Sequence, residues 1–351
     1  MSCPRPLYSK ETRLSNNIKI GIVGLGRLGR RHAENLASRV PGVVLVAAAS
    51  PVDSERSWAE ESLGVKAYSD LPSLLGHPGL DAAWLVTPTS FHADQAIQVL
   101  EAGKHLFCEK PLSLDIVLCN RVIEVAQRRP SQVAMIGFMR RFDPAYAEVK
   151  RVISSGELGK VFRIHTESHD PVDTNAFFVK FAPTSGGIFL DCCIHDIDLV
   201  RWMLDGARPT KVCAFGTRVM YPGLASCGDV DTASASVEFD TGALATFHVS
   251  RTSHRGYEAT MSVTGTEGAL TCGRGLTALP IATERSGGTA VRGQSDFFAR
   301  FNDAFLHEAS AFAEAVRSGG GSPLSLEDAR EATRLAVGMR ESLSKGAPVL
   351  L

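Results

Sequence analysis

The chain has 351 residues, with 37 lysines and arginines against 38 acids and a net charge of −1. At roughly 150 residues per domain the length suggests two domains, each able to bury a core. The balanced charge excludes a basic face that would track nucleic acid or an anionic leaflet, so neither is an expected partner. A composition of 44% apolar and 21% charged residues belongs to a globular chain, not a disordered one. Apolar runs such as Val43–Ala49 fall well short of the roughly 18 residues that span a bilayer. The polar N-terminal segment has no apolar h-region, so no secretory signal is expected. Cysteines stand at positions 3, 108, 119, 192, 193, 213, 227 and 272, none in C-x-x-C spacing. Reduced thiols in a cytoplasmic protein are the expectation.

In chain order, the first 140 or so residues alternate apolar runs with amphipathic stretches. Strands are predicted at Ile18–Val23, Val43–Ala49, Asp81–Val86, His105–Glu109 and Val133–Gly137. Helices are predicted near 27–38, 54–63, 90–102 and 113–128. Continuous, non-alternating apolar strands between helices give a doubly wound parallel sheet covered on both faces. Beyond about residue 145 the pattern changes to longer, partly alternating strands at 161–168, 210–219, 232–239, 243–250 and 258–264. That is an antiparallel sheet, accompanied by helices near 190–204, 297–317 and 326–344. Ser286–Gly293 and Gly319–Gly321 read as short flexible loops. The division is a dinucleotide-binding domain over 1–142 and a substrate-binding and oligomerisation domain over 143–351.

Gly24-Leu25-Gly26-Arg27-Leu28-Gly29 is G-x-G-x-x-G, directly after a strand and opening a helix. Gly24 permits the tight turn, Gly26 lets a pyrophosphate approach the backbone, and Gly29 lets helix and strand pack closely. Free N–H groups at the helix start, from Arg27 and Leu28 onward, then face the phosphates. The second strand of such a fold ends in an acid that grips the ribose hydroxyls of NAD. Here Ser50 stands at that position; Asp53 follows three residues later and Arg56 is near. The expected cofactor is NAD, with NADP as the alternative. Asp53 also reads simply as a helix N-cap.

Four further stretches carry a resemblance: Glu109-Lys110-Pro111, Thr87–His92, Gly137–Asp143 and Asp191–Asp196. Together they resemble the Gfo/Idh/MocA oxidoreductases over nearly the whole chain. The Gly-Phe-Met-Arg-Arg run and Asp229–Ala233 look most like the inositol 2-dehydrogenase branch. The resemblance implies an N-terminal Rossmann domain, a C-terminal α/β domain on a large, mostly antiparallel sheet, and assembly through the open sheet face as a dimer or tetramer.

Oxidising a secondary alcohol removes a hydride from carbon and a proton from oxygen. The nicotinamide takes the first, and the protein must handle the second. Lys110 follows a parallel strand at its carboxyl edge, where it can steady an alkoxide or relay a proton. Asp191 and His195 are spaced i, i+4 on a predicted helix, which puts them on one face. His195 suits a general base and Asp191 an orienting group. The residues leave Lys110 and His195, or a relay between them, as proton acceptor. Asp191, Cys192, Cys193 and His195 also cluster in sequence, but adjacent cysteines diverge by about 100° on a helix, so no metal is expected.

Arg140 resembles the family's substrate-contacting arginine, and its fork suits vicinal hydroxyls. Of His165 and His169, at a strand end, His169 is the candidate substrate contact. Tyr257 matches a segment that offers a substrate-facing aromatic in related enzymes, with core packing as the alternative. Ser50, Thr87, Pro88, Thr89, His92, Glu109, Lys110 and Arg140 complete the residues expected around the cofactor, and His32 reads as helix packing. The segment 171–189, with Phe177 and Phe178, reads as a lid. The expected activity is oxidation of a cyclic polyol, myo- or scyllo-inositol, to an inosose. A sugar dehydrogenase, an NAD-dependent glycosidase and a non-catalytic dinucleotide sensor are the alternatives.

Overall fold

The computed structural model describes residues 17–273, 282–285, 288–291 and 295–351. It divides into two compact units. The first takes the chain up to Glu109 together with Arg121–Gly137 and Leu306–Leu326; the second takes Lys110–Asn120, Phe138–Phe305 and Glu327–Leu351.

In the first unit the strands are β1 (Ile18–Val23), β2 (Val43–Ala49), β3 (Lys66–Tyr68), β4 (Ala82–Leu85), β5 (His105–Glu109) and β6 (Ala134–Gly137). They form one parallel sheet in the order β3-β2-β1-β4-β5-β6. Helices α1 (Arg27–Ser38), α2 (Asp53–Leu63), α3 (Leu71–Leu75), α4 (Thr89–Glu101) and α5 (Ile116–Gln127) connect the strands. The chain winds outward from β1 in both directions, so the order reverses between β1 and β4, which is where doubly wound sheets take ligands. The strands are continuous apolar runs because both faces are covered. Ala47, Ala48 and Ala49 of β2 and all of β4 are fully buried. Trp84 stacks on Phe107 with centroids 3.5 Å apart, and Phe312 meets it edge-on at 5.5 Å.

The second unit contains α6 (Pro144–Ser154), β7 (Val161–Pro171), α7 (Phe177–Ser185), α8 (Ile194–Met203), β8 (Pro209–Thr217), β9 (Thr232–Phe239), β10 (Leu244–Ser253), β11 (Glu258–Gly265) and β12 (Ala269–Cys272). The hairpin β13 (Ala282–Arg285) and β14 (Gly288–Val291) follows, then α9 (Phe297–Ser318), α10 (Leu326–Lys345) and β15 (Val349–Leu350). Helix α9 is kinked at Phe301, and its part from Leu306 belongs to the first unit. Seven strands lie in the order β12-β11-β7-β10-β9-β8-β15. The pairing is antiparallel except between β7 and β10. Strict alternation in β9, with Ala233, Ala235, Val237 and Phe239 buried, marks a sheet with one covered face. Among the described residues no single helix is long and apolar enough to cross a membrane.

The parallel and antiparallel halves match the expected fold class. Several elements had no sequence reading: β3, α3, α6, β12, β13 and β15. Part of the expected loop Ser286–Gly293 is instead strand β14, paired with β13; Ser286, Gly287, Arg292 and Gly293 lie outside the described residues, as do Cys3 and the N-terminal segment. The 171–189 segment, read as a lid, is partly helical. It carries α7, and Phe178 and Val179 pack on Ala182, Tyr221 and Leu224.

Candidate active site

The glycine turn meets its three requirements separately. Gly24 has φ +92°, and a Cβ there would lie 2.5 Å from the Val86 carbonyl oxygen. A Cβ on Gly29 would lie 2.0 Å from the Gly24 oxygen, which is the close helix–strand approach. Over Gly26 the space is open, with nothing within 4 Å of a Cβ. Gly26 is the N-cap of α1, with no side-chain cap and no acid in the first turn. The helix start therefore leaves its N–H groups for an anion, and the residues present fit a dinucleotide's pyrophosphate. Arg27 is exposed beside it and Leu28 half-buried.

The neighbouring loop after β4 is braced from within. Thr87 Oγ1 donates to Gln95 Oε1 at 2.6 Å, and His92 Nε2 donates to the Thr87 carbonyl at 2.7 Å. Pro88 is the N-cap of α4, and Thr89 opens its first turn. His92 is buried, so its ring holds the Thr87 loop from behind. Glu109 is buried too: His32 Nε2 bonds its Oε1 at 2.9 Å, and a Cβ on Gly137 would come within 3.0 Å of that oxygen. His32 thus does more than pack. Asp53 is not the N-cap of α2; Val52 is, because Asp53 is already helical and pairs with Arg56.

The chain passes from Glu109 directly to Lys110, whose bond to Pro111 is cis. Within the second unit, Lys110 Nζ donates to the Asp191 carbonyl at 2.9 Å and lies 3.4 Å from Asp191 Oδ1. Asp191 Oδ2 meets Arg251 Nη2 at 3.3 Å. Arg251 Nη1 meets Asp229 Oδ2 at 2.7 Å, while Asp229 Oδ1 accepts from the Ile188 N–H at 2.9 Å. Gly187 is required there, since its φ is +85° and a Cβ would crowd Asp229 Oδ1 at 2.8 Å. Cys192 Sγ donates to Asp170 Oδ2 at 3.1 Å, and burial pushes the Asp170 carboxyl up. Burial likewise pushes both Cys192 and Cys193 thiols well up, so they stay protonated.

His195 lies near this group on α8, edge-on to Phe138 at 6.1 Å. Burial first, then the charges of Lys110 and Arg140, hold its imidazole well below the usual histidine range, so the ring is neutral. Among the described residues its buried Nδ1 has no hydrogen-bond partner. Asp191 does not bond this ring. Phe189–Cys193 form a π turn ahead of α8, and its wider winding changes the phase expected from i, i+4. The Asp191 carboxylate goes to Lys110 and Arg251 instead.

Arg140 is almost wholly buried. Its Nη1 donates to Asp196 Oδ1 at 2.8 Å and Ser168 Oγ at 3.0 Å, and its Nη2 donates to the Tyr257 hydroxyl at 2.9 Å. The fork is thus committed within the protein, where it positions Tyr257, and is not open to a diol. His169 lies apart from the cluster. Alternation along β7 sends Ser168 toward Arg140 and His169 to the opposite face, where Nδ1 meets Glu258 Oε2 at 3.2 Å and the ring meets His248 at 5.1 Å. His165 shares that face and bonds Thr246 and Glu167.

A sequence model of the oxidoreductase family with an NAD-binding Rossmann fold matches residues 18–138, and the GFO/IDH/MocA C-terminal domain matches 146–271. The chain belongs to the Gfo/Idh/MocA oxidoreductase family. Its relatives in that family include the scyllo-inositol 2-dehydrogenase (NAD(+)) of Bacillus subtilis, 37% identical over 96% of this chain and 97% of that protein. The myo-inositol 2-dehydrogenase of Thermotoga maritima is 33% identical over 95% and 98%. The crystal structure of scyllo-inositol dehydrogenase from Lactobacillus casei with bound NAD(H) and scyllo-inositol superposes with a TM-score of 0.90 at 35% identity, covering 95% of this chain and 99% of that one.

Sequence reading of this family member missed Asp170, Asp229 and Arg251 as partners in the cluster. A signal was present. Arg251 is in phase with the buried Ala245, Phe247 and Val249 of β10, and Asp170 with Ile164, Thr166 and Ser168 of β7. A charge in the inward phase of a strand needs a partner.

Proposed function

We propose that this protein is an NAD-dependent dehydrogenase that oxidises one secondary alcohol of a cyclic polyol, myo- or scyllo-inositol, to the corresponding inosose. The dinucleotide is assigned to the turn Gly24–Gly29 with Thr87, Pro88 and Thr89, and the polyol to the Lys110, Asp191 and His195 cluster with Tyr257. The observation that carries the chemistry is the pairing of a tethered ammonium with a neutral buried imidazole. Lys110 is fixed by the carbonyl and carboxylate of Asp191, and His195 is kept unprotonated by burial.

Bound NAD supplies the hydride acceptor. His195 takes the hydroxyl proton, since a neutral imidazole has a lone pair for it at neutral pH. Lys110 steadies the alkoxide as it develops, because its charge is already oriented and needs no reorganisation. Asp191 holds that amine, and Arg251 with Asp229 holds Asp191. Arg140 orients the Tyr257 hydroxyl. Fixed donors and acceptors of this kind reject a substrate lacking the matching hydroxyl.

The test is reduced-nicotinamide absorbance on adding inositols, aldoses and their keto forms to protein and NAD. Turnover with an inositol is the expected result, and its absence across the panel overturns the reading. We also propose a cytoplasmic homodimer or homotetramer. The seven described cysteines are all unbridged, which suits a reducing compartment. Phe215 of β8 and Leu244 of β10 stand exposed, and burying them against a second copy would favour assembly. Sedimentation of Phe215→Glu beside the natural protein tests the assembly.

A further inference from the structure

Folds of this type that take NAD end their second strand in an acid that bonds the adenosine ribose; those that take NADP place an arginine near to receive the 2′-phosphate. Here β2 is followed by Ser50, and an acid and an arginine come five and six residues later. The structure shows how each is used. Ser50 is buried, and its Oγ donates to Glu55 Oε2 at 2.5 Å while accepting from the Val52 N–H at 3.1 Å. Glu55 thereby folds back from the first turn of α2 to the carboxyl edge of β2. That edge is tied to the glycine turn, since the Gly24 N–H donates to the Ala49 carbonyl at 2.9 Å. Arg56 is differently committed: Nη1 donates to the Ser50 carbonyl at 2.8 Å, and Nη2 pairs with Asp53.

We propose that Glu55, held in place by Ser50, is the ribose-reading acid of this protein and makes its site selective for NAD over NADP. The inference rests on the dinucleotide reading above and adds the residue that discriminates. Ser50 is too short to reach a diol and also hold the loop; Glu55 brings a carboxylate, which accepts from both ribose hydroxyls at once. A 2′-phosphate would face two carboxylates, Asp53 and Glu55, with one guanidinium already bonded to backbone and to Asp53. The positive end of α2, which would otherwise favour a phosphate, is met by the same two acids.

The experiment is calorimetric binding of NAD and NADP to the full chain, with unfolding of each variant followed in parallel. The natural protein should bind NAD at least tenfold more tightly than NADP. Glu55→Gln should weaken NAD by roughly tenfold, the loss of a charge-assisted bond, and narrow the gap to NADP. Ser50→Ala keeps the carboxylate but frees it, and should weaken NAD by a smaller factor of roughly three. Equal or better binding of NADP by the natural protein, with loss of NADP in Arg56→Ala, would assign the site to Arg56 and overturn the proposal. So would a Glu55→Gln variant that binds NAD as the natural protein does. If Glu55→Gln fails to fold, the natural protein's preference together with Ser50→Ala decides. If the natural protein binds neither dinucleotide, the functional reading itself fails, an outcome distinct from the others.

Discussion

Asp229 and Glu308 are both buried acids, one in each unit, and they are handled in opposite ways. In the second unit such acids have partners, and most meet a guanidinium: Asp229 shares Arg251 with Asp191, Asp196 meets Arg140 at 2.8 Å, and Asp198 meets Arg141 at 2.6 Å, while Asp231 accepts from the Met220 and Tyr221 N–H groups. In the first unit Glu308 is fully buried with neither oxygen hydrogen-bonded among the described residues. Its neighbour is another acid, Glu109, itself held by His32. Burial, and then the Glu109 charge, push the Glu308 carboxyl well above the usual range. Lys110 thus sits at the end of a chain of fixed charges, Asp191, Arg251 and Asp229, whereas burial favours the protonated form of Glu308. An arginine fork supplies a buried carboxyl with the hydrogen bonds and counter-charge that Glu308 lacks among the described residues.

The comparison breaks first at Lys110. Lys110→Met removes the ammonium proposed to steady the developing alkoxide, and kcat should fall by about a thousandfold or more, with NAD affinity changed by less than roughly threefold. Turnover near the natural rate would sink the assignment. Arg251→Leu comes next. It leaves Asp191 and Asp229 without their shared partner and should cost about 3–5 kcal/mol of stability in denaturant unfolding, because uncompensated charges remain buried. A loss under about 1 kcal/mol would mean these acids need no counter-charge.

His195 sharpens the comparison through pH. Its folded pKa lies well below 6.5, so the base is free at neutral pH and is lost only on acidification. The acid limb of kcat/KM should therefore fall below pH 6.5, since that profile reports the free enzyme. A limb at or above 6.5 would contradict a buried neutral ring. The folding linkage has the same sign: below 6.5 the unfolded chain takes up a proton that folded His195 refuses, so stability falls as pH falls through that range.

The two regions were unequally legible. The parallel sheet could be read because strands buried on both faces are continuous apolar runs, and the glycine turn because each glycine answers a separate steric demand. Lys66–Tyr68 is too short for any period to show. Helix α6 carries a start signal in its sequence: Asp143 accepts from the Ala145 and Tyr146 N–H groups ahead of Pro144, an N-cap with proline at the first position. The site was read as residues but not as partners. Lys110, Asp191 and His195 are recognisable singly; that Asp191 turns to Lys110 and Arg251 depends on a π turn, which a helical period cannot distinguish from α. Arg140 and Tyr257 belong together, 117 residues apart, for reasons that only the tertiary packing supplies.

The smallest effect lies at Glu308 and tests the other side of the comparison. Its folded pKa is raised above the ordinary 4.5, so the folded state holds the proton that the unfolded chain releases. Whatever that proton contributes is whole below about pH 4.5 and erodes as pH rises toward the folded value, by up to about 1.4 kcal/mol for each pH unit. Glu308→Gln keeps the shape and has no proton to lose. Its advantage over the natural protein in denaturant unfolding should grow between about pH 5 and about pH 8. Curves that stay parallel would show that folded Glu308 ionises as readily as the unfolded side chain. That result would require a counter-charge in the first unit equivalent to the arginines of the second, and the contrast between the two would disappear.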